Sequence, residues 1–158
     1  MIVAHLKHVL PGSVLITGGA GFIGSNLADA LLREGRDVII FDNLSRKGVE
    51  HNLHWLTRRH GKRLTFRSGD LRDAAAVAAV VAQASSVAHL AAQVAVTASL
   101  ADPWEDFSVN MLGTMHVLEA IRRKGGSMPV VFASTNKVYG DLGIETTLSG
   151  DRHVPRDP

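Results

Sequence analysis

Two stretches of this sequence hold residues whose types and spacing suit chemistry. The first is "TGGAGFIG", Thr17 to Gly24. Two glycine registers fit it. Gly19, Gly21 and Gly24 spell G-x-G-x-x-G, whereas Gly18, Gly21 and Gly24 spell G-x-x-G-x-x-G. Glycines there permit a tight turn and bring backbone N–H groups close to a pyrophosphate with no Cβ in the way. A helix starting at such a loop holds the negative charge at its N-terminus. The second stretch is "ASTNKVYG", Ala133 to Gly140, with Tyr139, the only tyrosine of the chain, two residues after Lys137. Tyrosine and lysine together make a general acid/base pair where geometry allows.

These residues need a frame. Val14 to Thr17 is a short apolar run that stops at the glycines and reads as a buried strand. Phe22 to Glu34 carries Ile23, Leu27, Ala30 and Leu31 at helical spacing, with Gly35 placed to end it. Asp37 to Phe41, Arg63 to Arg67, Ser86 to Leu90 and Val130 to Ala133 read as further strands. Val49 to His60, the alanine-rich Ala74 to Ala84, and Trp104 to Lys124 read as further helices, the last preceded by the start signal Asp102-Pro103. Strict alternation argues for parallel strands joined by right-handed crossovers. The expected fold is α/β, an open doubly wound sheet of five strands in the order 3-2-1-4-5. The strands are apolar runs, as strands covered on both faces must be. Asp141 to Pro158 is polar, has two prolines and shows no period, so it reads as loop or frayed tail.

Composition excludes several roles. A chain of 158 residues suffices for one domain with a core. Its net charge is only +2, and the densest basic patch, Arg58 to Arg63, falls where a helix should end and complements the helix dipole. No nucleic-acid partner is expected. With no cysteine, disulfides and thiolate chemistry are absent, which points to the cytoplasm. The first twelve residues are interrupted by His5, Lys7 and His8, so no signal peptide is read there, and no run of 18 apolar residues offers a membrane span. His51 and His54 lie three apart on a helix without a third ligand, so no metal site is expected. His89 and His116 lie in apolar runs and read as core residues with partners.

Asp42 ends the second strand, eighteen residues after Gly24. A carboxylate there accepts hydrogen bonds from an adenosine ribose and repels a 2′-phosphate, which favours NAD over NADP, although Arg46 is near enough to accommodate that phosphate. Asp42, Asp70, Leu90 and Thr135 all fall at carboxyl ends of expected strands, where ligands of doubly wound sheets bind. Three bland roles compete: Asp70 as a helix N-cap, Asn110 as a side chain satisfying a buried loop, and Ser134 and Thr135 as ordinary strand-end residues.

The phrases "FDNLSRKGVEHNLHWL", "SGDLRD", "HLAAQVAVTAS", "DPWEDFSVNMLGT" and "FASTNKVYGD" resemble the extended short-chain dehydrogenase/reductase family, in particular its NAD-dependent nucleotide-sugar epimerases and dehydratases. Within it, "DNLSRKG…NLHWL" and "STNKVYGDL" resemble the CDP-paratose (CDP-tyvelose) 2-epimerases. The resemblance covers about residues 13 to 142. It implies that Phe22 and Ile23 flank the pyrophosphate with loop N–H groups, that Asp42, Asn43, Ser45 and Arg46 surround the adenosine ribose, and that Asp70 and Leu71 hold the adenine. It implies that Leu90, Ala91, Ala92 and Gln93 line the middle of the cofactor and that Asn110 stands near the nicotinamide ribose. Thr135 falls where the family keeps a hydroxyl for the reacting sugar. A CDP-linked nucleotide sugar is the implied substrate partner.

In that family the base is a tyrosine followed four residues later by a lysine, on one helix face. Here Gly143 stands four after Tyr139, and Lys137 precedes it, so Tyr139 is not assigned to the pair. The chain thus resembles an N-terminal half: residues 1–12 an extension, 13–142 a partial NAD-binding domain, 143–158 a tail, with the substrate domain absent. A shortened gene, an excised piece and one half of a split protein all fit. An uncovered sheet edge would favour association with another copy.

Overall fold

The apolar runs sort themselves into three layers in the computed structural model, which describes residues 12–134 and 143–156. Strands β1 (Val14–Thr17), β2 (Val38–Asp42), β3 (Leu64–Ser68), β4 (Ser86–His89) and β5 (Val130–Phe132) form one parallel sheet in the order β3-β2-β1-β4-β5. Every residue of β1 is buried, as suits a strand with neighbours on both sides and helices on both faces. Leu15 pairs with Ile39 on one side and Val87 on the other.

Side chains alternate between faces along a strand, and the core divides accordingly. Leu15, Ile39, Phe41 and Val87 pack with Val77, Val80 and Val81 of α3 (Ala74–Ala82) and with Val117 and Ala120 of α6 (Gly113–Lys124). Val14, Ile16, Val38, Ile40 and Ala88 face the opposite way. They meet Ala28, Leu31 and Leu32 of α1 (Phe22–Arg33) and Leu56 of α2 (Val49–His60). Strand order reverses its direction of growth between β1 and β4, so the connections leave on opposite faces there and their loops part.

Local signals explain the helix ends. Gly35 adopts φ 82, and its N–H bonds the Leu32 carbonyl at 3.0 Å, closing α1 as expected. Asp73 caps α3 by accepting from the N–H groups of Ala75 and Ala76. The Lys124 ammonium donates to the carbonyls of Val81, Ala82 and Ala84, fastening the end of α6 to that of α3. The basic patch ends α2, where Arg59 and His60 also reach Asp29 on α1 at 3.1 and 2.6 Å. Its charges are therefore engaged partly in helix packing.

Three expectations are corrected. The helix expected over Trp104 to Lys124 is present and continuous from Pro103, but it contains a π-helical turn, Ser108–Leu112, between α5 (Pro103–Phe107) and α6. Asp102 caps α5 through the Glu105 N–H, which moves its start to Pro103. The turn widens the run without breaking it, where Thr114 bonds back to the Asn110 carbonyl at 2.6 Å. A short helix α4 (Val96–Ala101) was not anticipated, because its mix of β-branched and small residues carries no clear period. The expected frayed tail contains an antiparallel hairpin, β6 (Thr146–Ser149) with β7 (Arg152–Pro155). Gly150, at φ 61, supplies the left-handed turn between them.

Leu56 is wholly buried between α1 and the sheet. Leu56→Ala is expected to lower the free energy of unfolding by about 2–5 kcal/mol, measured by urea titration, with the sheet's far-UV circular dichroism retained in the folded baseline.

Candidate functional site

The carboxyl ends of β1 to β4 open onto a cleft of about 600 Å³. Glycines Gly18, Gly21 and Gly24 line one lip of it. Gly18 adopts φ 67, and a Cβ there would stand 2.8 Å from both the N and Cα of Ala91. A Cβ at Gly24 would stand 2.7 Å from Gly19 Cα and would strike the Gly18 carbonyl oxygen. Gly21 differs. Beyond its chain neighbours, a Cβ there would meet only the Gly18 carbonyl oxygen, at a tight 3.2 Å, so it is less crowded than Gly18 or Gly24. Gly19 packs instead toward the Ile40 side chain, 2.8 Å from where its Cβ would be, and does not line the cleft. The G-x-x-G-x-x-G register is therefore the one that faces it.

Helix α1 begins at this loop, with Gly21 in the N-cap position, no capping side chain and no acid in its first turn. Its first N–H groups have no intrahelical acceptor, and the positive end of the helix dipole lies at the cleft. Phe22 and Ile23 line the cleft and are strongly exposed, at 81% and 67%. An uncapped helix start at a glycine loop is a cradle suited to a pyrophosphate.

Asp42 fixes that cradle. One carboxylate oxygen accepts from the Ala20 N–H at 3.0 Å and the other from the Leu44 N–H at 2.9 Å. Asn52 of α2 donates to the Ala20 carbonyl at 2.9 Å, so the Ala20 peptide is held on both sides. Each Asp42 oxygen keeps a further lone pair for a ribose hydroxyl. Leu44 is held at φ 54, a left-handed conformation that costs a non-glycine residue on the order of 1–3 kcal/mol. Its bond to Asp42 helps maintain it. Asn43, Ser45 and Arg46 complete this rim.

Asp70 is more fully engaged. Its Oδ1 accepts from the Arg72 N–H and Nε, both at 2.9 Å. Its Oδ2 accepts from Arg72 Nη2 at 2.7 Å and Asn43 Nδ2 at 2.9 Å. Four donors fill the usual capacity of a carboxylate. The Arg72 guanidinium, helped by Asn43, holds the Asp70 carboxyl well below the usual carboxylate range against an opposing effect of burial. Arg72 also donates to Glu105 at 2.6 Å, tying this loop to α5. Asp70 is not a helix N-cap, since Asp73 fills that place. If Asp70 takes an adenine amine, one of its present donors must yield. Leu71 lines the cleft beside it, as do Arg72 and Glu105, which the motif reading did not single out. Arg72 was visible in "SGDLRD" two residues after Asp70; nothing local marked Glu105.

At the end of β4, Leu90, Ala91, Ala92 and Gln93 form the opposite wall. Asn110 clasps Gln93 from behind. It accepts from the Gln93 N–H at 2.8 Å and donates to the Gln93 carbonyl at 3.0 Å and to Asp106 at 3.1 Å. Asn110 does not line the cleft, so its bland reading describes its present contacts. Thr135, Lys137 and Tyr139 lie outside the described residues. His116 is half-buried and donates from Nδ1 to the Leu71 carbonyl at 2.8 Å. His51 and His54 are exposed on α2, and among the described residues no cluster of three His, Asp or Glu is arranged to hold a metal. No helix among them is long and apolar enough to cross a membrane.

The parallel sheet, its reversal beside β1 and the glycine cradle define a Rossmann-type domain. The family model described as GDP-mannose 4,6 dehydratase matches residues 15–158. The chain is 47% identical over 131 residues to CDP-paratose 2-epimerase of Salmonella typhi, covering 82% of this chain and 38% of that protein. It is 37% identical over 147 residues to dTDP-glucose 4,6-dehydratase of Mycolicibacterium smegmatis, covering 92% and 43%. Among solved structures, UDP-glucose 4-epimerase of Stenotrophomonas maltophila, with bound NAD and formylated UDP-arabinopyranose, superposes with a TM-score of 0.73 at 33% identity, over 82% of this chain and 38% of that one. The Thermus thermophilus UDP-glucose 4-epimerase complex with NAD gives 0.67 at 42% identity, over 78% and 37%. The chain belongs to the NAD-dependent epimerase/dehydratase family of extended short-chain dehydrogenases/reductases. It spans about two fifths of the length of these relatives.

Two titrating groups give stability a pH dependence. Burial lowers the His89 pKa, so the unfolded chain takes up that proton first and stability falls with pH below about 6.5, the ordinary histidine value. The depressed Asp70 contributes stability that is present above about pH 3.9, the unfolded value, and is lost on further acidification. Urea titrations across pH should show both declines. In Asp70→Asn the stability deficit seen at pH 7 should shrink in acid, while the decline beginning near the histidine range persists.

Proposed function

We propose that this chain is the NAD-binding N-terminal part of a nucleotide-sugar epimerase. The whole protein would be a CDP-paratose/CDP-tyvelose 2-epimerase acting by transient oxidation at C2 of the sugar. The 158 residues alone would bind NAD without turnover. The observation that carries the reading is the glycine loop lining the cleft at an uncapped helix start, with the Asp42 carboxylate bonded to it through the Ala20 N–H.

The residues present fit the cofactor. The α1 N-terminus would hold the pyrophosphate, aided by the approach that Gly18 and Gly21 allow. Asp42 would accept from the adenosine ribose, with Asn43, Ser45 and Arg46 around it. Leu71 would cover the adenine, with Asp70 and its Arg72 partner at the edge. Leu90 to Gln93 would line the middle, with Asn110 holding Gln93 in place. Bound NAD supplies a hydride acceptor. Thr135 would hydrogen-bond the reacting sugar hydroxyl, and proton removal would need a Tyr-x-x-x-Lys pair, which this sequence lacks. Soluble action on a nucleotide sugar in the cytoplasm accompanies this reading.

Relatives named dTDP-glucose 4,6-dehydratase and UDP-glucose 4-epimerase, at 37% and 40% identity, support a second reading, in which the whole protein is one of these. A non-catalytic NAD-binding module is a third. Both leave the cofactor cleft unchanged.

Isothermal titration of this chain should show saturable 1:1 binding of NAD, with NADP at least about tenfold weaker because the Asp42 carboxylate repels a 2′-phosphate. Asp42→Asn should narrow that ratio. Absence of NAD binding would sink the reading, and tighter NADP binding would reverse the cofactor choice. Epimerisation of a CDP-sugar by the 158 residues alone would overturn the statement about turnover.

A further inference from the structure

His89 is one of four polar residues among the described core and is almost wholly buried, at 3% exposure. It lies beneath the cleft at the end of β4, between Thr17 of β1 and Thr114 of α6. Its Nδ1 lies 2.7 Å from Thr17 Oγ1 and its Nε2 lies 3.0 Å from Thr114 Oγ1. Proton counting gives every bond a direction. Thr17 Oγ1 accepts from the Ala91 N–H at 3.2 Å and shares the Leu90 N–H, also at 3.2 Å, with the Thr17 carbonyl. Thr114 Oγ1 donates to the Asn110 carbonyl at 2.6 Å, so it accepts from His89 Nε2. In a neutral ring that donates from Nε2, Nδ1 is bare and takes the Thr17 hydroxyl proton. The chain closes in one sense only, with the proton of the ring on Nε2.

The groups so joined all border the cleft or hold something that does. Thr17 precedes Gly18, whose backbone leaves no room for a Cβ against Ala91. Leu90 and Ala91 are cleft wall. Asn110, at the far end of the chain, clasps Gln93. Any buried histidine must pair both ring nitrogens. What singles out His89 is that its partners are the groups that hold Leu90, Ala91 and, through Asn110, Gln93, while Phe132 packs on its ring at 5.6 Å between centroids.

We infer that His89, as the Nε2–H tautomer, is a positioning residue that sets the Leu90–Gln93 wall against the glycine loop, and so fixes the part of the cleft that takes the pyrophosphate and middle of a dinucleotide. This rests on the NAD-binding reading for the identity of the ligand. The registration of the two walls does not depend on it. The adenosine end, built from Asp42 and the β3 loop, lies outside the relay.

The test uses the whole chain. Nitrogen-15 NMR of the histidine rings should show His89 protonated on Nε2 and bare on Nδ1 at pH 7; the opposite tautomer or an imidazolium overturns the inference. His89→Phe keeps a ring against Phe132 and removes the relay. It should weaken NAD at least tenfold while leaving AMP, a probe of the adenosine end, within threefold. Amide exchange at Leu90 and Ala91 should quicken at least tenfold, with Ile16 and Ile40 unchanged. Thr114→Ser, which keeps the hydroxyl, should bind NAD like the unaltered chain. Equal loss of NAD and AMP, or no loss of either, overturns the inference. Should His89→Phe fail to fold, Thr114→Val is read by the same criteria. If the unaltered chain binds no NAD, the functional reading fails, and the tautomer and amide exchange still decide whether His89 registers the walls.

Discussion

The contact on which the site depends is the approach of two backbones, Gly18 at the end of β1 and Ala91 just past β4. No side chain fits between them. The parallel sheet brings these strand ends side by side, and the reversal of connection direction parts the loops above them. That parting is the cleft. Everything else near it holds the two lips in register. Asp42 and Asn52 grip the Ala20 peptide on one side, Asn110 grips Gln93 on the other, and Thr17 bonds across the gap.

Much of this was legible in the sequence. The apolar runs identified five strands of the central sheet and their order: β1, β2 and β4 are buried on both faces and cannot be polar, whereas β5 keeps an apolar sequence although all three of its residues are exposed. The glycines announced the turn, and a carboxylate at the end of β2 announced its neighbour. The sequence could not choose between the two glycine registers, since that choice depends on Ile40 filling the space beside Gly19. Nor did it show that Asp70 is already saturated. The Arg72 fork is local, but its anchor on Glu105 comes from 33 residues away and needs the fold to meet it.

The misses share a cause. α4 and the π-helical turn lie where side chains are exposed or bonded to distant loops, so no core face imprints a period on them. The hairpin at 146–155 is almost entirely exposed, and its pairing is carried by main-chain bonds and one glycine turn. Periodicity reports burial. Where an element buries little, the signal is weak.

A cleft whose phosphate-facing lip is bare at Gly18, Gly21 and Gly24 has a consequence for how such a protein changes over time. Recognition by peptide N–H groups at a helix start does not depend on which side chains the neighbouring positions carry. Substitutions there drift freely so long as the few positions that exclude a Cβ stay bare. The architecture can therefore outlast most of its sequence, and the same economy leaves the cleft nearly silent about which sugar is to be presented to it.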